Sequence, residues 1–134
     1  MRTWKKIRAL GADAGINYKT YPNWQDQVLE LTGGKGVDMT IEVAGGEGLN
    51  QSVAATKVAG VIAQVGFLTG QTSPLNLMPL IFRQTTIRGI AVAPRSSFEC
   101  MNSFLDTHRL SSSARNVRPS CISRTSLALI GGWR

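Results

Sequence analysis

Between Gly36 and Gly66 the chain alternates apolar runs and glycines in an order that few folds accept. Val37-Asp38-Met39-Thr40-Ile41-Glu42-Val43-Ala44 is rich in β-branched residues and stops at Gly45-Gly46. Leu49 to Val58 reads as a helix closed by Gly60, and Val61-Ile62-Ala63-Gln64-Val65 then runs into Gly66. Two apolar strands joined by one helix predict a right-handed βαβ crossover in a parallel sheet. Such sheets take their ligands beyond the carboxyl ends of the strands, which is where the glycines stand. The expectation is a nucleotide-binding α/β domain.

Further elements flank this unit. Trp4, Ile7 and Leu10 have helical spacing, with Gly11 placed to stop that helix. Residues 14–18 read as a short strand. Trp24, Val28 and Leu31 form the stripe of a helix capped near Asn23 and ended by Thr32-Gly33-Gly34-Lys35-Gly36. Leu75 to Phe82 reads as a short helix interrupted by Pro79, and residues 86–92 as a strand. Ser96 and Glu99 have capping-box spacing ahead of the stripe Phe98, Met101 and Leu105. Trp4, Trp24, Phe98 and Phe104 are either core residues of these helices or apolar surface left without a partner.

The chain has a net charge of +7, but the excess is local. Residues 1–108 hold ten Lys/Arg against eight Asp/Glu; from Arg109 onward there are five arginines and no acid. The basicity therefore belongs to the tail. That tail lacks the interleaved aromatics of a nucleic-acid binder, so a solvated segment is expected and nucleic acid is not. Cys100 and Cys121 form neither a disulfide framework nor a Cys-x-x-Cys pair. No apolar run is long enough for a bilayer, and no signal peptide is legible, so no membrane association and a cytoplasmic location are expected.

Three strings make the reading more specific. These are Arg8-Ala9-Leu10-Gly11-Ala12-Asp13, Ile16-Asn17-Tyr18, and Leu31-Thr32-Gly33-Gly34-Lys35-Gly36-Val37-Asp38. Ile41-Glu42-Val43-Ala44-Gly45, Gly60 to Gly66 and Thr86-Ile87-Arg88-Gly89 follow in order. The series resembles the second half of the nucleotide-binding domain of medium-chain dehydrogenases/reductases, the zinc-type alcohol dehydrogenase and quinone oxidoreductase proteins. The resemblance implies a partial Rossmann-like parallel sheet with flanking helices over residues 1–110, followed by an irregular basic Ser/Arg-rich tail over 111–134. It implies NAD or NADP as cofactor and hydride transfer between nicotinamide and an alcohol, carbonyl or quinone. Val43, Ala44, Gly45 and Gly46 would end a central strand beside the cofactor. Val65, Gly66 and Phe67 would lie against the nicotinamide ribose and carboxamide. Gly89, Ile90 and Val92 would offer backbone groups to the carboxamide.

Several family features are missing from the 134 residues. They contain no Gly-x-Gly-x-x-Gly turn; Gly46-x-Gly48 is followed three residues later by Gln51. The first strand and the catalytic domain with its zinc ligands are not legible either. The tail resembles out-of-frame reading, so a gene remnant or a mispredicted fragment, truncated at the front and frame-shifted at the back, is expected. Such a chain would bind cofactor weakly, hold no catalytic residue and no metal, and be inactive alone. In the strand order 3-2-1-4-5-6 its first strand would lose its neighbours. It would pair with the strand at 37–44 or hang as an unpaired edge open to self-association. A non-catalytic, self-associating protein using that edge is the alternative reading.

Local alternatives stand beside these. Gly45, Gly46 and Gly48 are either a tight turn or a phosphate cradle, the turn being preferred. Gly33-Gly34-Lys35-Gly36 is a helix C-cap before it is a phosphate loop. Glu42 either faces the cofactor crevice or reaches water. His108, the only histidine, suits the dipole at a helix end better than the role of base or ligand.

Overall fold

A computed structural model describes residues 7–9 and 11–108, together with the backbone of 129–130. The elements are β1 (Gly15–Ile16), α1 (Trp24–Leu31), β2 (Val37–Glu42), α2 (Gly48–Ala55), β3 (Thr56–Gln64), α3 (Leu77–Arg83), β4 (Thr86–Gly89), α4 (Arg95–Thr107) and β5 (Leu129–Ile130). The expected crossover is present: β2, α2 and β3 follow one another, and β2 and β3 pair in parallel. β4 adds to the far side of β3, also parallel, giving the order β2-β3-β4. The fold class is α/β, a three-stranded Rossmann-like parallel sheet with flanking helices.

The core lies on one face of this sheet. Leu49 and Val53 of α2 cover Ile62 of β3, with Leu75, Leu80 and Ile87 packed around them. Trp24 and Val28 of α1 meet Ile16, Val37 and Ala55 in a second cluster. Each fully buried aliphatic side chain here contributes about 1.5–3 kcal/mol. On the opposite face Met39 and Ile41 are exposed, as is Val43 beyond them, while Val61 and Ala63 are half-buried. Polar contacts tie α3 to α2. Asn50 donates to Pro74 O at 2.7 Å and accepts from Asn76 N at 2.8 Å, while Asn76 Oδ1 caps Met78 N at 3.2 Å. Asn76→Ala should therefore cost about 1 kcal/mol in urea denaturation; a loss below a few tenths would mean that the cap is idle.

Several boundaries differ from expectation for physical reasons. Helix α2 ends at Ala55, not Val58, because Thr56 leaves the helix to pair with Val37. Its hydroxyl donates to Ser52 O at 2.7 Å and meets Thr40 Oγ1 at 2.8 Å. Gly60 is consequently a buried strand residue and not a cap. Pro79 does not interrupt α3. It sits in the first turn, where its missing N–H has no helical acceptor to lose. The Ser96–Glu99 capping box does not form, since the helix begins at Arg95. Glu99 instead accepts from Arg95 Nε at 2.7 Å. Asn23 precedes α1 without a side-chain cap. The ladder of β4 stops at Gly89.

The first strand is shorter than expected and takes neither expected place. Gly15–Ile16 pairs in parallel with Leu129–Ile130, two residues of the segment read as irregular. Trp24 is core, but Phe98 and Phe104 of α4 are exposed, because α4 carries no buried residue. Trp4 lies outside the described residues, as do 109–128 and 131–134. Residues 7–9 are helical, and Gly11 N and Ala12 N close that turn on Arg8 O and Ile7 O. Among the described residues no helix is long and apolar enough to cross a membrane.

Candidate functional site: the carboxyl edge of the parallel sheet

Three strands running in parallel bring their carboxyl ends to one edge. The register aligns Glu42 with Gln64 and Gln64 with Gly89. Val43, Val65 and Ile90 therefore leave the sheet side by side, and all three are exposed. Backbone bonds carry the ladder just past the strands: Val65 N donates to Glu42 O at 2.8 Å and Ile90 N to Gln64 O at 2.9 Å.

The loop after β3 folds over the turn after β2. Leu68 N donates to Val43 O at 3.2 Å and Thr69 N to Ala44 O at 2.8 Å, and Gly45 bridges Gly70. This close packing explains the glycines. Gly45 and Gly46 have φ of 69° and 58°, and a Cβ on Gly46 would lie 2.5 Å from Thr69 Oγ1. A Cβ on Gly66 would lie 2.7 Å from Val43 O. Glycine at 66 thus keeps the chain off itself, whatever else approaches it. Gly89 is different, since nothing lies within 4 Å of its would-be Cβ. Phe67 is exposed and Val92 is 100% accessible.

Glu42 resolves in a way neither alternative anticipated. It is buried, with 6% of its surface accessible. Its Oε1 accepts from Ala44 N at 2.8 Å and Gly45 N at 3.0 Å, and its Oε2 accepts from the Ser52 hydroxyl. The row of hydroxyls continues inward. Thr56 Oγ1 gives its one proton to Ser52 O, so Thr40 Oγ1 donates to Thr56 Oγ1. The glycine turn is thus a small anion nest already filled by the strand's own carboxylate. Ser52, Thr56 and Thr40 went unread in the sequence. The available signal was a serine and a threonine flanking the apolar Val53-Ala54-Ala55.

The other glycine cluster is a Schellman cap. Gly34 N donates to Leu29 O at 2.7 Å and Gly33 N to Glu30 O at 3.2 Å. It ends α1 and offers no phosphate loop.

A profile of the zinc-binding dehydrogenases matches residues 2–107. The chain belongs to the zinc-binding dehydrogenase family. A zinc-type alcohol dehydrogenase-like protein of Schizosaccharomyces pombe is 34% identical over 98 residues, which are 70% of this chain and 28% of that protein. The crystal structure of a Sinorhizobium meliloti protein described as an alcohol dehydrogenase superposes with a TM-score of 0.72 at 34% identity. That match covers 82% of this chain and 32% of the other. An NAD-dependent alcohol dehydrogenase gives 0.64 at 31% identity, over 79% of this chain and 31% of that one. The chain spans about a third of the length of these family members.

The family's metal does not fit the described residues. No three His, Cys, Asp or Glu side chains among them gather to hold an ion. His108 sits at the end of α4 with Nδ1 2.9 Å from Phe104 O and its ring 4.1 Å from that phenyl ring. Cys100 is exposed. No step through zinc is derived for this chain.

Proposed function

We propose that these residues form the nicotinamide side of the cofactor platform of an NAD(P)-dependent oxidoreductase, which moves a hydride between nicotinamide and an alcohol, carbonyl or quinone. The observation that carries this reading is the aligned edge Val43, Val65 and Ile90, exposed and apolar beside open backbone. Ala91 and Val92 N–H donate to no other described residue. An amide carbonyl set on a flat ring complements those open N–H groups. Val43, Ala44, Val65, Gly66, Phe67, Gly89, Ile90 and Val92 would line the ring and its carboxamide. Gly45 and Gly46 would support the turn.

The pyrophosphate has no such place among the described residues. The nest at Ala44 and Gly45 is filled by Glu42, and the sequence contains no Gly-x-Gly-x-x-Gly turn. Residues 1–110 therefore act as a half-platform whose hold on a whole dinucleotide is weak, and the 134 residues alone do not catalyse. Titrating the full chain with NADH should give no fluorescence change at low micromolar cofactor. Millimolar nicotinamide mononucleotide should shift the amide NMR signals of Gly89 to Val92. Gly89→Val, which places a branched side chain in that open space, should weaken the NMR response several-fold. Tight NADH binding, or shifts confined to other residues, would refute the assignment.

A further inference from the structure

We propose that Glu42 sets the redox preference of this edge, drawing the cationic oxidised nicotinamide ring over the neutral reduced one. The inference rests on the reading of the edge as a nicotinamide site. It starts from an imbalance of charge. Every polar contact to the Glu42 carboxyl comes from a donor: two backbone N–H groups and one hydroxyl. Two backbone N–H groups on one oxygen and a hydroxyl on the other are a setting that suits a carboxylate. No cation pairs with it among the described residues. Lys57 is bound to Asp38 and Arg95 to Glu99. Arg83 gives Nη1 to Thr56 O at 3.0 Å. Arg88 shares its row with Ile41 and Ala63, so its side chain leaves on the opposite face of the sheet, in solvent. Among the described residues Glu42 is thus a buried carboxylate with no ion pair.

Its position makes that charge matter. The carboxylate is bonded directly to the N–H groups of Ala44 and Gly45, which belong to the edge itself. A buried charge is screened less than a surface one, so its field reaches a ligand seated on the turn. Oxidised nicotinamide carries a positive ring; the reduced ring is neutral and almost the same shape. The two differ at this edge chiefly by their interaction with that charge. The same field disfavours phosphate, in keeping with a strand end that takes the ring.

The test uses the full chain with oxidised and reduced nicotinamide mononucleotide, each titrated by NMR. The oxidised form should bind about three- to tenfold more tightly, the range expected for one partly screened charge pair. Glu42→Gln keeps an acceptor for both N–H groups and removes the charge, so the two affinities should converge. Ser52→Ala keeps the charge and loses only a bond, so the ratio should persist even if both affinities fall. A purely structural Glu42 would change both affinities alike and leave the ratio fixed. An unchanged ratio in a folded Glu42→Gln chain would overturn the proposal. Where that variant does not fold, equal binding of the two forms by the unmutated chain overturns it. Failure of both forms to shift any edge signal removes the nicotinamide reading itself, and this inference with it.

Discussion

Gly36→Ala should cost this chain about 3–5 kcal/mol, enough to unfold a domain of ordinary marginal stability. Gly36 joins the end of α1's cap to the start of β2, with φ of 83°. A Cβ there would lie 2.6 Å from Ala55 O and 2.8 Å from Lys57 N. Both are backbone atoms at the junction of α2 and β3, so neither can swing aside as a side chain would. The left-handed conformation adds its own strain for any residue with a Cβ. Relief would require prising β2 from β3 where Val37 pairs with Thr56, and that pair is the first rung of the crossover. Gly33→Ala is the control. Gly33 also has positive φ, at 61°, but nothing lies within 4 Å of its would-be Cβ. It should lose only about 1–2 kcal/mol, the conformational part alone. Urea denaturation followed by circular dichroism measures both. A Gly36→Ala chain as stable as the Gly33→Ala chain would show that the junction yields, contrary to the close packing described.

The same junction shows what a sequence can and cannot disclose. The βαβ unit was legible because its signals are local: β-branched runs, helical composition between them, and glycines at the turns. The helix end at Ala55 was not, because it depends on Thr56 meeting Thr40 across the sheet, a contact sixteen residues apart in the chain. Pro79 looked like an interruption because register decides whether a proline falls in a first turn. The stripe of α4 looked like core because amphipathic spacing records that a face is apolar, without recording what covers it. The partner of β1 lies more than a hundred residues away, beyond the reach of any local pattern. At the candidate site the glycine positions were readable, but their reasons were mixed. Gly66 answers to Val43 O, whereas Gly89 answers to nothing in the chain. Glu42 could not be placed by pattern, since its burial requires Ser52 on a different element.

That pairing yields the second large effect. Glu42→Leu has similar volume but leaves Ala44 N–H, Gly45 N–H and the Ser52 hydroxyl without their acceptor. Each orphaned buried donor costs about 1–3 kcal/mol, and apolar burial by the leucine offsets part of it, so a net loss of about 3 kcal/mol is expected. The double variant Glu42→Leu with Ser52→Ala removes the stranded hydroxyl. It should be less destabilised than the two single losses added together, by about 1 kcal/mol. Amide hydrogen exchange localises the damage, with Ala44 and Gly45 losing protection before the ladder between β2 and β3 does. The comparison with Glu42→Gln separates the two duties of this residue. Glutamine can still accept from both backbone donors, and Ser52 can turn to accept from its amide, so Gln should keep more of the stability than Leu does. If Gln and Leu were equally harmful, the charge itself would be holding the turn. If Leu were harmless, the nest would not need an acceptor at all.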